Sequence, residues 1–269
     1  MAAPIEAEKY PIILTIAGFD PSSGAGVTAD IKTIAAHGCF GVGCITSITV
    51  QNTTGVTRVE RISGHVVSET LKSLASDMPI AAIRIGMLGS ASTAAAVADF
   101  LGEMGRVPIV LDPVLRSSSG AELFHKSGIE VLKARLLPLA LVITPNLAEA
   151  AELTGLRVVS LAEIKVAAAA LQRMGARNVV VTGGHLAANI DLVRLESGEE
   201  HEVAGPRIES KSTHGTGCAF ATALACNLAK GMNVVAASMA AKKYVTEAIK
   251  AAYAVGKGNG PINHFFERK

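Results

Sequence analysis

Tyr10-Pro11-Ile12-Ile13-Leu14-Thr15-Ile16-Ala17, closed by Gly18, is an almost unbroken apolar run. A strand with one wet face alternates apolar and polar residues. A short run without alternation fits a parallel strand buried on both faces. Residues 24–37 then read as a helix. Similar short runs recur at 41–50, 81–87, 107–111, 139–144 and 178–182, with longer helical patterns between them. Ser160 and Glu163 fit a capping box, in which both side chains satisfy free N–H groups of a first helical turn. Behind them Leu161, Ile164, Leu171 and Met174 fall near one helical face, and Gly175 is placed to end the helix. Strand and helix in alternation imply an α/β fold, a mostly parallel sheet between two helical layers. Residues 190–203, with acidic residues around Gly198, read as a short antiparallel hairpin at the sheet edge. There are no repeats, low-complexity tracts or linker, so residues 1–269 are expected to form one domain.

Composition narrows the function classes. Hydrophobic residues make up 49% of the 269 and charged residues 18%, enough for a large core and too apolar for a disordered chain. A net charge of +2, from scattered Lys and Arg, argues against a nucleic-acid partner. No stretch has the length and apolarity of a bilayer span, and residues 1–9 carry two Glu and no apolar core, unlike a signal peptide. Cys39, Cys44, Cys218 and Cys226 show neither CxxC nor zinc-ligand spacing, so reduced thiols in a cytoplasmic protein are expected.

The residues with chemistry to offer cluster after strand ends, where open parallel sheets collect ligands. Ser212-Thr213-His214-Gly215-Thr216-Gly217-Cys218 leads into an Ala-rich helical stretch. It is either an ordinary glycine loop or a cradle of backbone N–H groups at a helix N-terminus, suited to an anion and to charge on a transferred phosphoryl group. Cys218 in that first turn is either a small buried hydrophobe or a thiol whose thiolate the helix terminus favours, able to take a proton from an attacking hydroxyl. Residues 17–26 hold Gly24 and Gly26 but no GxGxxG fingerprint, and the chain has no GxxxxGK[ST] loop. Asp30 is a solvated face residue or an acceptor for a ligand's amino group. Asp112 follows a buried strand and is a cap or holds a metal near phosphates. Asn146 and Glu149 are a helix cap with its partner, or part of a magnesium and water network.

In order, AGxDPSxGAGxxAD (17–30), QNT (51–53), GML (86–88), LDPV (111–114), TPNxxEA (144–150), GGH (183–185) and HGTGC (214–218) resemble bacterial hydroxymethylpyrimidine/phosphomethylpyrimidine kinases, of the ribokinase-like superfamily. The resemblance runs from about residue 13 to the segment 258–264. It implies a three-layer α/β/α fold, ATP and Mg2+, a homodimer, and transfer of the ATP γ-phosphate to the pyrimidine's hydroxymethyl group and then to the monophosphate, towards thiamine. It further implies a substrate site at Ala25, Asp30, Thr49, Gln51, Met87 and Val114. Gly215, Thr216 and Gly217 would form the anion hole and Cys218 the base. Asp112, Asn146, Thr182 and Gly184 would lie on the nucleotide side, with Asp112 and Glu149 towards magnesium. Sugar kinases of the superfamily usually read GAGD where this chain reads GTGC. Thr182 stands where many relatives carry Lys, Leu115 where Met is common, and Ala121 where Asp is. Close relatives with the same Cys take pyridoxal, and a pyrimidine-binding module without catalysis is the third reading. Residues 116–124, rich in Ser and Gly, are expected to form a closing loop.

Overall fold

The computed structural model describes residues 10–117, 120–184 and 189–267. β1 (Ile12–Phe19) leads through α1 (Gly26–Ala36) to β2 (Phe40–Asn52), which turns into β3 (Gly55–Arg61). α2 (Gly64–Asp77) carries the chain to β4 (Ile80–Ile85) and α3 (Ala91–Glu103) to β5 (Ile109–Leu111). α4 (Lys126–Val131), a π-helical turn (Leu132–Leu136) and a 3-10 turn (Leu137–Leu139) lead to β6 (Val142–Ile143). α5 (Leu147–Thr154) and α6 (Leu161–Arg173) precede β7 (Asn178–Val181), β8 (Ile190–Arg194) and β9 (Glu200–Ala204). α7 (Thr216–Ala229) and α8 (Val234–Lys250) follow.

The strands form one sheet in the order β3-β2-β1-β4-β5-β6-β7-β8-β9. Neighbours from β2 to β7 are parallel, while β3, β8 and β9 pair antiparallel. The hairpin expected at 190–203 is β8 and β9, at the edge. The sequence pattern understates one element. β2 continues through Gln51 and Asn52, which therefore lie in the strand rather than after it, and pairs with β3. β3 (GVTRVER) escaped notice because a polar edge strand has no apolar run. In the stretch 139–144 only Val142–Ile143 pairs, since Leu139 closes the 3-10 turn. Ser160 Oγ accepts from Glu163 N at 3.3 Å as a cap should, but Glu163 reaches back to Val159 N at 2.9 Å, one residue beyond the expected box partner.

The two-residue period of a strand sorts the core into two layers. Leu14, Ile83, Leu111, Ile143 and Val181 face α2, α3, α5 and α6. Ile13, Ala82, Val110, Val142 and Val180 face α1, α7 and α8. Continuing that second face towards the strand ends gives Thr15, Arg84 and Asp112. Thr15 and Arg84 are register partners on β1 and β4. From β1 the chain moves outward through α1 to β2 and β3, and α2 then carries it back past β1 to β4 on the other side, so strand order reverses between β1 and β4. That is the crevice where open α/β sheets place their ligands.

Candidate active site

Arg84 is the centre of the crevice floor. Its side chain is fully buried, and it donates from Nη1 to Asp30 Oδ2 at 3.0 Å and from Nη2 to Asp112 Oδ2 at 2.6 Å. Its charge also acts on the Cys218 thiol. A buried guanidinium without partners is too costly to occur; two carboxylates and its rigid fork make this one tolerable. The local sequence makes room for it, because any Cβ at Gly86 would overlap the Arg84 guanidinium. Sequence reading overlooked Arg84. The signal was there: a charged residue inside the apolar strand IAAIRI can only be buried and paired.

Asp30 takes a different place from the one expected. It is neither solvated nor open to a ligand. It is fully buried on α1, and its carboxylate accepts from Thr15 Oγ1 (2.5 Å), Thr222 Oγ1 (2.7 Å) and Arg84. Burial pushes its carboxyl above the ordinary range, and Arg84, Thr15 and Thr222 only partly offset this. α1 turns Asp30 inward because the rest of that face, Val27, Ile34 and Thr33, is buried too.

The glycine loop enters α7 as expected. Gly215 is its N-cap at φ 81°, and a Cβ there would also overlap the Gly24 carbonyl oxygen, so no other residue fits. The loop is thus pressed against the β1–α1 turn. Thr216, Gly217 and Cys218 form the first turn, where backbone N–H groups have no partner within the helix. The Cys218 thiol faces the Gly26 backbone N–H and the charge of Arg84, both of which favour its thiolate. Its thiol, however, is not the activated one expected from a helix N-terminus. Burial pushes it up to about 11; Arg84 pulls it down, and Asp112 and Asp30 oppose that pull. Two nearby carboxylates and desolvation outweigh a half-charge helix end.

Asp112, Asn146 and Thr182 follow β5, β6 and β7 side by side, Asn146 and Thr182 being bridged to one another. Asn146 and Glu149 form a complete capping box: Asn146 Oδ1 accepts from Glu149 N at 3.0 Å and Glu149 Oε2 from Asn146 N at 2.9 Å. The Leu115 backbone N–H also favours the Glu149 carboxylate. Burial and the Asp112 charge push the Glu149 carboxyl up to about 8, and burial moderated by Arg84 leaves Asp112 at about 6. Among the described residues no three His, Cys, Asp or Glu side chains converge as a metal site. The two raised carboxyls nonetheless suit a hard cation that brings phosphates and water as its other ligands.

The sign of these shifts has a measurable consequence. A carboxyl that keeps its proton better folded than unfolded favours the fold at low pH, and that stability is lost as pH rises through the folded value, here about 8 for Glu149. Glu149→Gln keeps the capping acceptor and removes the titration. Its thermal midpoint should gain on wild type by roughly 5–10 °C between about pH 5 and about pH 8. A constant difference across that range would sink the assignment.

The other wall holds Thr49, Gln51, Met87 and Ala25. Met87 is buried against Gly18, and its carbonyl accepts from Thr46 Oγ1 at 2.5 Å. Thr49 Oγ1 donates to Phe19 O at 3.0 Å and meets the Gln51 amide at 3.1 Å. Ala25 N donates to Asp20 Oδ2 at 3.0 Å. Val114 is half-buried and donates to Asp112 O at 2.9 Å. A cleft lined by Gln51, Thr53, Ser117, His214 and Asn259 opens above this wall. The expected closing loop is folded on itself, with Leu123 N donating to Leu115 O at 2.9 Å and Ser117 N to Ala121 O at 2.8 Å; residues 118 and 119 lie outside the described residues, as does His185 beside Gly184.

The model of the family described as phosphomethylpyrimidine kinase matches residues 20–263. The chain belongs to that family. It is 42% identical to the hydroxymethylpyrimidine/phosphomethylpyrimidine kinase of Streptomyces coelicolor over 98% of both chains, and 44% identical to that of Rhizobium meliloti over 94% of this chain and 97% of the relative. It is also 42% identical to the thiamine biosynthesis bifunctional protein ThiED of Geobacter sulfurreducens, where it spans 94% of itself but 52% of that longer protein. Among solved structures, a Bacillus subtilis pyridoxal kinase in complex with ADP superposes with a TM-score of 0.88 at 31% identity, covering 96% of this chain and 99% of that one. A Clostridium difficile phosphomethylpyrimidine kinase gives 0.79 at 33% identity, over 89% and 99%. These neighbours make the fold ribokinase-like and the family's chemistry a kinase reaction. The wall of Thr49, Gln51, Met87 and Ala25 lies at β2, β4 and the β1–α1 turn, the row of Asp112, Asn146 and Thr182 follows β5, β6 and β7, and Arg84 lies between them.

Proposed function

We propose that this protein transfers the γ-phosphoryl group of ATP to the hydroxymethyl oxygen of 4-amino-5-hydroxymethyl-2-methylpyrimidine, and then to the phosphate of the monophosphate, in thiamine diphosphate biosynthesis. The observation that carries it is the junction of Cys218, at the N-terminus of α7, with Arg84 and Asp112. The hydroxyl oxygen bonds to the γ-phosphorus as the bond to the bridging oxygen breaks and ADP leaves. The hydroxyl proton goes to Cys218 Sγ, which acts as thiolate. N–H groups of Gly215, Thr216 and Gly217 receive the charge on the transferring oxygens, with little covalent work left for the protein. Arg84 fixes Asp112 and is the positive charge that makes thiolate at Cys218 reachable. Gln51, Thr49, Met87, Val114 and the Ala25 backbone hold the pyrimidine; Asp30, enclosed beneath them, holds Arg84. Asn146, Thr182 and Gly184 flank the nucleotide. Asp112 and Glu149 would hold Mg2+, which neutralises phosphate charge.

The chain would act as one kinase domain in the cytoplasm, consistent with reduced thiols and with no helix among the described residues able to cross a membrane. A homodimer is supported by Ile45, Ile48 and Val50, which leave an apolar stripe exposed along β2; a monomeric mass in solution would sink it. The likeness to pyridoxal kinases favours vitamin B6 phosphorylation as the second reading. ADP release with ATP, Mg2+ and either the hydroxymethylpyrimidine, its monophosphate or pyridoxal decides between them. The pyrimidine should be turned over at least about tenfold faster than pyridoxal, and a preference for pyridoxal would overturn the assignment.

A further inference from the structure

Asp20, in the turn after β1, receives only donors. Oδ1 accepts from Ser22 N (2.8 Å) and Ser22 Oγ (2.7 Å); Oδ2 accepts from Ala25 N (3.0 Å), Gly24 N (3.3 Å) and His214 Nε2 (2.7 Å). Burial opposes ionisation, but the His214 and Ser22 hydrogen bonds hold the carboxyl below its usual range. Facing a carboxylate, His214 Nε2 must carry the proton. The Gln51 amide then spans two fixed partners. One end lies 3.1 Å from Nε2, whose single hydrogen it shares with Asp20 as the more distant of two acceptors, and the other lies 3.1 Å from Thr49 Oγ1, whose single hydrogen goes to the Phe19 carbonyl, a group that can only accept. An N–H can only donate and Thr49 Oγ1 has only lone pairs left. The two ends of an amide are alike in shape, and partners decide which is oxygen. The oxygen therefore belongs at His214 and the NH2 at Thr49, which leaves the second N–H to the cleft that Gln51 and His214 line.

We propose that His214, anchored by Asp20, is a positioning residue that fixes the polarity of the Gln51 amide, so that the substrate wall offers an N–H and selects a ring acceptor rather than a donor. This rests on the placement of the pyrimidine at Gln51. Its sequence position, three residues before Gly217 in the phosphoryl-binding loop, also ties substrate recognition to that loop.

A double-mutant cycle tests it, reading KM for the pyrimidine, KM for ATP, kcat and thermal midpoint. His214→Phe keeps a ring against Gly24 but cannot donate. It should raise the pyrimidine KM about tenfold, the loss of one hydrogen bond, with the ATP KM within about twofold. His214→Gln, which can donate, should recover most of that. In a Gln51→Ala background His214→Phe should add less than about twofold, because its effect runs through the missing amide. Equal increases in both backgrounds, or no recovery with Gln, overturn the proposal while leaving the site in place. An unchanged pyrimidine KM in Gln51→Ala alone overturns the proposal and the placement of the substrate together.

Discussion

Cys218→Ala will lower kcat by about two to four orders of magnitude, the usual worth of a positioned base, while the KM for ATP changes by less than about twofold. The thiol is influenced by the Gly26 N–H and by Arg84, and loss of its sulfur leaves the backbone N–H groups at the start of α7 intact. A pH profile separates a proton acceptor from a packing residue. In the proposed role the reacting form is thiolate, and burial with Asp112 and Asp30 nearby pushes the thiol up to about 11. Wild-type kcat should therefore keep rising with pH into the alkaline range, and that limb should vanish in the alanine variant. Near-normal turnover, or an alkaline limb that survives the substitution, would remove Cys218 from the chemistry and shift the burden to the loop N–H groups alone.

Arg84→Met is the second large effect, and it combines stability with activity. It deletes the cation shared by Asp30 and Asp112 and leaves two carboxylates close together in a buried floor. Breaking a buried pair by removing one partner costs about 3–5 kcal/mol, which for a chain of this size lowers the thermal midpoint by roughly 10 °C. Below that midpoint the folded variant should still lose at least about a hundredfold in kcat, because Cys218 then faces Asp112 and Asp30 without compensation. Arg84→Lys restores one charge but not the fork, so it should recover more stability than activity. If methionine is tolerated in both respects, Arg84 is a filler of core volume and the coupling of floor to loop is wrong.

The sequence by itself determined the class of fold. Unbroken apolar runs such as residues 10–17 have only the doubly covered parallel strand to go to, and the caps at Ser160 and Asn146 are local enough to be read from four residues. It also located the glycine loop that enters α7, since Gly215 and Gly217 ahead of an apolar helix are a local pattern. β3 was missed because an edge strand is specified by its partner β2 and not by its own apolar content. The electrostatics of the site were decided by tertiary structure alone. Asp30, Arg84, Asp112 and Cys218 are spread over 189 positions of the chain, and nothing in their local sequence shows that their charges act on one another. Helix-terminus reasoning gave Cys218 a lowered pKa; packing reversed the sign, because desolvation and two carboxylates act over a few ångströms that only the sheet and α7 together define. Likewise Asp20, Gln51 and His214 become one network only when the β1–α1 turn, β2 and the α7 loop meet. A period or a cap is a property of neighbours along the chain, whereas a charge takes its energy from every neighbour in space.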